Sequence, residues 1–209
     1  MLIANRYKIL DNSDRGGMGE VMFCEDLHLQ RKVVLKYLQA GVEARRLLDE
    51  QKALSKVRSK HVVQLYDIVN IPGGVAQQPA IVLEFIDGET LQIGCFSANK
   101  DYLNLIWQIS CGLADIHSHG IIHRDIKPGN IKKDGEGVIK ILDFGLSRNN
   151  ADAETRCIIG TPIFMAPELW DNHQTIVFDS SIDVYAFGVT CLALLTDKFP
   201  HSLCSKPPG

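Results

Sequence analysis

The sequence predicts an α+β protein of two parts, a small β-rich region followed by a helical one, and three observations carry that prediction. Residues 6–12 and 20–26 are strand-like runs on either side of the glycine-rich stretch SDRGGMGEV (13–21), the pattern of a hairpin. KVVLKYL (32–38) continues the β-branched alternation of a strand. From about residue 99 the apolar period lengthens: Tyr102, Leu105, Ile106, Ile109, Leu113 and Ile116 recur at the spacing of a helix face.

In chain order, a helix is expected over roughly 42–57, where Leu47, Glu50, Leu54 and Val57 share one face. Strands follow at 62–69 and 80–86, separated by the turn-like NIPGGVAQQP. The helix through 102–116 comes next, then GVIKIL as a short strand, a loop over 150–165 and a strongly apolar, buried helix at 180–196. The character changes near residue 85. One domain over 1–209 is therefore expected, with an N-terminal lobe of about 1–85 and a C-terminal lobe of about 87–209.

Composition narrows the function classes. A chain of 209 residues suffices for one sizeable core or two small packed lobes. A net charge of −3 leaves no electrostatic footprint for nucleic acid, and no basic run suggests a membrane surface. The longest apolar stretch, Val184 to Leu195, is too short for a bilayer span, which needs about 20 residues. The start MLIANRYKIL lacks the tripartite order of a secretion signal. Cysteines at 24, 95, 111, 157, 191 and 204 form no C-x-x-C pair, so they read as reduced core thiols and not as a zinc or redox motif. A cytoplasmic protein is expected.

HRDIKPGN (123–130) concentrates chemistry on one short turn. Phosphoryl transfer asks for a base to meet an incoming hydroxyl, a cation over the moving group and an amide oxygen to help hold a metal. Asp125, Lys127 and Asn130 supply those groups. Alone, the stretch also reads as a polar loop in which Asp and Asn are turn residues. DFG (143–145) stands thirteen residues after Asn130, directly after the GVIKIL strand. A carboxylate at a strand end, followed by an aromatic and a glycine, is suited to reach Mg2+. With both motifs in this order, chance is a poor explanation.

On those residues the sequence resembles the protein kinase family over nearly the whole chain, and the resemblance implies a two-lobed protein kinase-like fold. VVLK (33–36) is similar to the family's V-A-I-K strand, with Lys36 as the phosphate-holding lysine and Val34 on the same strand face. Glu50 is similar to the helix glutamate that pairs with that lysine. Independently, it lies on the apolar stripe of its helix, where an unpaired carboxylate is costly. A buried ion pair without a catalytic role is the plainer reading of the same two residues. GTPIFMAPE (160–168) and DVYAFG (183–188) resemble the end of the activation segment and the start of the central buried helix. GTP, MAPE and Lys127 together resemble the serine/threonine branch, and GGMGEV resembles its bacterial-type members. Aminoglycoside- and choline-type kinases share an H-x-D-x-x-x-x-N loop but not this activation segment, which leaves a small-molecule substrate as a minor alternative.

The resemblance implies ATP and Mg2+ (or Mn2+) as cofactors. It assigns the metal to Asn130 and Asp143, and catalysis to Asp125 and Lys127, assisted by Lys36 and Glu50. Ser13, Asp14, Gly16, Gly17, Met18, Gly19, Val21, Val34, Lys36, Glu84 and Ile86 become the nucleotide-binding positions. Glu84 and Ile86 would form the hinge whose backbone meets adenine, with Leu83 as gatekeeper. A stack of Leu54, Leu65, His123 and Phe144 is implied, with Asp183 anchoring its base. No second metal ligand lies at a suitable spacing from His123, which therefore reads as a core histidine. Thr161 is implied to hydrogen-bond near Asp125 and Lys127, and Glu168 to pair with an arginine further along the family's chain. Arg124, beside the base, invites a phosphate on Thr155 or, behind it, Ser147; an unmodified Thr155 is the plain alternative.

Three departures surround the nucleotide. Ser13 stands where an aliphatic residue usually roofs adenine, and Asp14 replaces the first glycine. Lys132 takes the place of the aliphatic floor, with its stem over the base and its ammonium expected to turn outward. Weakened ATP binding is expected, since each apolar side chain buried contributes about 1–2 kcal/mol. The family also continues beyond TDKFPHSLCSKPPG with further helices. The C-terminal lobe is accordingly expected to lack its last helices and to expose a face of 184–195: either the chain is a piece of a longer kinase, or self-association or a partner supplies the cover. The expected function is an ATP-dependent serine/threonine kinase acting on protein substrates and on itself, with no nucleic acid and no membrane span. The alternative is a pseudokinase-type nucleotide-binding interaction module with little or no turnover.

Overall fold

The hairpin around the glycine stretch forms as its alternation requires: β2 (Tyr7–Asp11) pairs antiparallel with β4 (Gly19–Asp26), and the short β3 (Arg15–Gly16) folds back on β4, Gly16 opposite Gly19. The computed structural model describes residues 2–11, 15–16, 19–37, 44–73, 76–144, 148–149, 162–170 and 178–196. They fall into two compact units, Met1–Ser55 with Val63–Phe85, and Lys56–Val62 with Ile86–Gly209. Together the units have the α+β class expected from the sequence.

In the first unit β1 (Leu2–Ile3), β5 (Arg31–Tyr37), β6 (Leu65–Gly73) and β7 (Ala76–Glu84) complete an antiparallel sheet of order β1-β2-β4-β5-β7-β6. Its period-two alternation turns Met22 and Cys24, Val33 and Leu35, Val69 and Ile71, and Ala80 and Val82 into one buried cluster with Ile3 and Tyr7. α1 (Ala44–Lys56) buries the predicted stripe: Leu47, Glu50 and Leu54 are each at most 3% exposed.

One expectation fails here. NIPGGVAQQP is not a turn; β6 and β7 run through most of it, pairing from Leu65↔Leu83 to Gly73↔Ala76. Pro72 and Pro79 weigh against strands because proline removes a ladder donor. Both lie where that costs nothing, Pro72 on the sheet's last strand and Pro79 just before the Ala80–Glu84 stretch that β5 pairs with. Val62, expected in a strand, lies outside β6 and makes an isolated parallel bridge with Ile141 in the second unit.

A polar clamp closes the back of this sheet. Arg6 Nε and Nη2 donate to the two carboxylate oxygens of Asp26 at 2.8 and 2.7 Å, and the His28 and Leu29 amides donate to its Oδ1. Tyr7 Oη and Arg6 Nη1 both donate to Asp67 Oδ2. The Arg6 hydrogen bonds, helped by the two amides against the penalty of burial, hold the Asp26 carboxyl down at about 2. A folded-state value below the unfolded one stabilises the fold above the ordinary carboxylate range; that contribution is lost as pH falls from about 4 through about 2. Thermal melting should therefore lose midpoint more steeply across that window in the native chain than in Asp26→Asn, and parallel slopes would disprove the clamp's role.

The second unit is built around α2 (Lys100–Ser118). Asn99 starts the helix, its side chain accepting from the Tyr102 amide at 3.0 Å. Tyr102, Leu105, Ile109, Leu113 and Ile116 are buried as the periodicity requires, and Ile106 is half-buried. Gly112 is needed for close approach: a Cβ there would lie 2.9 Å from Ile141 Cδ1 and 3.0 Å from His61 O. β8 (Gly88–Thr90), β10 (Ile131–Asp134) and β11 (Ile139–Ile141) form a three-stranded sheet, and β9 (Ile121–Ile122) pairs with β12 (Arg148–Asn149). Gly88 is likewise obligatory, since a Cβ would collide with the Lys133 carbonyl oxygen. Ile121, Ile122, Ile126, Ile131, Ile139 and Ile141 are at most 1% exposed, and each contributes about 1.5–3 kcal/mol by its burial.

α3 (Ser181–Leu195) matches the predicted apolar helix. Asp179 Oδ1 accepts from the Ser181 amide at its start, and Tyr102 Oη donates to Cys191 O, tying α3 to α2. One face is buried through Ile182, Ala186, Val189, Ala193 and Leu194, whereas Val184 is 58% exposed. Among the described residues, no helix is long and apolar enough to cross a membrane, and Cys24, Cys95, Cys111 and Cys191 are free thiols.

Candidate active site

The loop after β9 owes its shape to one buried carboxylate. Asp183, 0% exposed in the first turn of α3, accepts from the His123 amide and the Arg124 amide at 2.8 Å each, and contacts His117 Nε2 at 2.8 Å. These bonds hold Arg124 at φ +70°, a left-handed conformation unfavourable for a residue with a Cβ. The buried Arg124 guanidinium stacks over the Phe178 ring at 4.0 Å, so the aromatic face supplies part of the compensation that the sequence assigned to an anion.

His123 is a core residue. Its Nε2 lies 2.9 Å from Leu142 O, which only accepts, so Nε2 carries the proton and Nδ1 accepts from the Asp125 amide at 3.3 Å. Its ring meets Phe144 edge-on, with centroids 4.8 Å apart. Leu54 and Leu65, assigned to the same stack, lie in the first unit, where Leu54 is buried and Leu65 half-buried.

Downstream of Arg124 the three chemical groups converge. Lys127 Nζ and Asn130 Nδ2 both donate to Asp125 Oδ2, at 2.7 and 2.9 Å, and Asn130 Nδ2 also reaches Asp125 O at 2.8 Å. A single 3-10 turn, Pro128–Asn130, brings Asn130 back, and proline suits its first position because no amide is needed there. Ile126, fully buried, pins the loop from below, and Thr190 Oγ1 of α3 donates to its carbonyl at 3.4 Å. The arrangement joins a carboxylate able to take a proton to a cation at one oxygen.

Asn130 and Asp143 leave neighbouring ends of one ladder. β10 pairs with β11, and the pairing continues one step further, Leu142 N donating to Asn130 O at 2.8 Å. Asp143 follows at φ +58°, exposed to solvent. Asn130 spends its amide nitrogen on Asp125, and its Oδ1 makes no hydrogen bond among the described residues. An uncommitted amide oxygen on one strand and an exposed carboxylate just past its neighbour are hard-oxygen donors of the kind that fits Mg2+.

In the first unit, Val34 and Lys36 alternate with the buried Val33 and Leu35 and so take the opposite face of β5. Register puts Val21 and Ile81 either side of Lys36, and Phe23 and Leu83 either side of Val34. Lys36 Nζ lies 2.9 and 2.8 Å from the two Glu50 carboxylate oxygens, and Glu50 is 1% exposed. Glu84 N donates to Gln64 O, and its side chain accepts from Gln64 N. Phe23 and Ile81 share the face of Lys36 but went unnamed in the sequence, where only strand register reveals them.

Other assignments distribute unevenly. Glu168 is exposed, in the 3-10 turn Pro167–Trp170, while Met165, Ala166 and Leu169 pack with Ile122, Phe178 and Ile182. The Lys132 ammonium, expected to turn outward, instead donates to the Ile86 carbonyl at 3.4 Å. Ser13, Asp14, Gly17, Met18, Ser147, Thr155 and Thr161 lie outside the described residues. His117 and Phe178 were missed; neither has a local signal, since their partners stand 66 and 54 residues away in sequence.

Residues 7–206 match the family profile described as the protein kinase domain. The chain is 31% identical over 212 residues to the probable serine/threonine-protein kinase PknB of Lactococcus lactis subsp. lactis, covering 95% of this chain and 33% of that protein. It is 32% identical over 211 residues to the serine/threonine-protein kinase PrkC of Bacillus subtilis, covering 95% and 31%. With the serine/threonine-protein kinase pkn2 of Myxococcus xanthus it shares 33% identity over 219 residues, covering 96% and 25%. The chain thus spans a quarter to a third of the length of these curated relatives.

Proposed function

Because this chain belongs to the protein kinase domain family, we propose that it transfers the γ-phosphoryl group of ATP to serine or threonine hydroxyls of proteins, itself included. The observation that carries this reading is the convergence of Lys127 and Asn130 on one oxygen of Asp125. Asp125 orients the incoming hydroxyl and takes its proton, and Lys127 offsets charge on the transferred group. Lys36, held by both oxygens of Glu50, positions the α- and β-phosphates. Asn130 through Oδ1 and Asp143 through its carboxylate would hold Mg2+, which would supply charge neutralisation at the phosphates. Nearly all the catalysis is then positioning and electrostatics.

The serine/threonine-protein kinase names of the relatives support the hydroxyl class. Free thiols at the four described cysteines support a reducing, cytoplasmic setting.

The test is incubation of the chain with Mg2+ and ATP labelled at the γ-phosphate, followed by phosphoamino-acid analysis. Label on serine or threonine is expected; a folded, nucleotide-binding chain that never takes up label would overturn the reading in favour of a binding module. Lys36→Met should lower the initial rate by about 100-fold or more, the scale of losing one preorganised charge donor. A rate within threefold of native would remove Lys36 from the machinery.

A further inference from the structure

Lys132 stands in the middle strand of the three-stranded sheet, directly opposite Thr90 on β8 and Lys140 on β11. Directly opposed residues share a face, so two lysines are cross-strand neighbours, an arrangement unfavourable by itself. The other face carries Ile131, Ile139 and Ile141, all fully buried. Lys132 is half-buried, and among the described residues no carboxylate lies within ion-pair distance of it. Its ammonium instead donates to the Ile86 carbonyl at 3.4 Å, the long end of a hydrogen bond. No backbone amide among the described residues donates to that carbonyl.

The consequence rests on the proposed reading of Glu84 and Ile86 as the segment whose backbone meets the base. On that reading the groups that meet the base run Glu84 C=O, Ile86 N–H, Ile86 C=O. An adenine edge runs 6-amino, N1, C2 in the same order, so its donor and acceptor match the first two groups and C2 faces the third. A purine carrying a 2-amino group would direct an N–H at the Ile86 carbonyl, where the Lys132 ammonium already donates. Two donors then compete for one acceptor, and one of them is a cation.

We propose that Lys132 is a base-selecting residue: by capping the Ile86 carbonyl it makes the nucleotide site discriminate against purines that bear a 2-amino group. An aliphatic side chain at this position would leave the carbonyl open to accept from that group. The discrimination is therefore specific to the lysine and does not follow from the fold.

Equilibrium binding of ATP and 2-amino-ATP, with Mg2+ present, tests this. The two nucleotides differ by the 2-amino group alone. In the native chain that group should weaken binding at least about tenfold, the scale of one polar group left unpaired. Lys132→Met keeps the stem and removes the ammonium; it should bring the ratio to within about twofold of unity, while Lys132→Arg keeps a donor cation and the discrimination. A ratio in Lys132→Met equal to the native one, or its loss in both variants, overturns the proposal and leaves the kinase reading intact. Failure of both nucleotides to bind the native chain overturns both.

Discussion

Asp125→Asn should reduce phosphoryl transfer by about 100- to 10,000-fold, the range a positioned general base contributes, while ATP binding stays within about twofold of native. The geometry makes the substitution close to isosteric. Lys127 Nζ and Asn130 Nδ2 both donate to Asp125 Oδ2, so an amide oxygen at that place keeps both bonds. What it loses is the ability to take a proton and the negative charge that sets Lys127 in place. The loss should therefore appear in kcat and not in nucleotide affinity. Initial rates of label incorporation, read beside equilibrium ATP binding, measure the two separately. A variant keeping more than a tenth of the native rate would show that Asp125 is a structural turn residue.

Asp183→Ala should destabilise the fold by about 3–5 kcal/mol, because it orphans two buried backbone N–H groups, each costing about 1–3 kcal/mol, and also removes the His117 contact. For a chain of this size that is a melting-point loss on the order of 10 °C. Catalysis should fall as well, since Arg124 at φ +70° is held left-handed by one of the lost bonds and the next residue is Asp125. Asp183→Asn, which retains an acceptor but exchanges the other for a donor, should cost less in stability. Thermal or urea unfolding of the two variants decides the matter: a loss below about 1 kcal/mol for the alanine change would mean that the amides find other partners.

What was legible in the sequence was what local spacing encodes. The stripe Leu47, Glu50, Leu54 and the stripe Tyr102 to Ile116 bury the faces they were read to bury, because helical periodicity is a property of the chain alone. The alternation of Val33, Val34, Leu35 and Lys36 likewise sets which side chains face the core. Asp125, Lys127 and Asn130 were legible as a group because five intervening peptide bonds suffice to bring them together. The extent of β6 and β7 was not legible: prolines at 72 and 79 weigh against strands until one knows which ladder edges lack a neighbour.

The fold class, the strand and helix faces and the chemical groups of the loop follow from local spacing, since each depends on residues a few positions apart. Tertiary structure alone decided how those groups are held. That Asp183 clamps the amides of His123 and Arg124, that Phe178 receives the Arg124 guanidinium and that the Lys132 ammonium goes to the Ile86 carbonyl are contacts across 46 to 60 residues. No periodicity reports such pairs. Burial selects them, because an amide, a cation or a carboxylate withdrawn from water must find its partner wherever the packed chain brings one within reach.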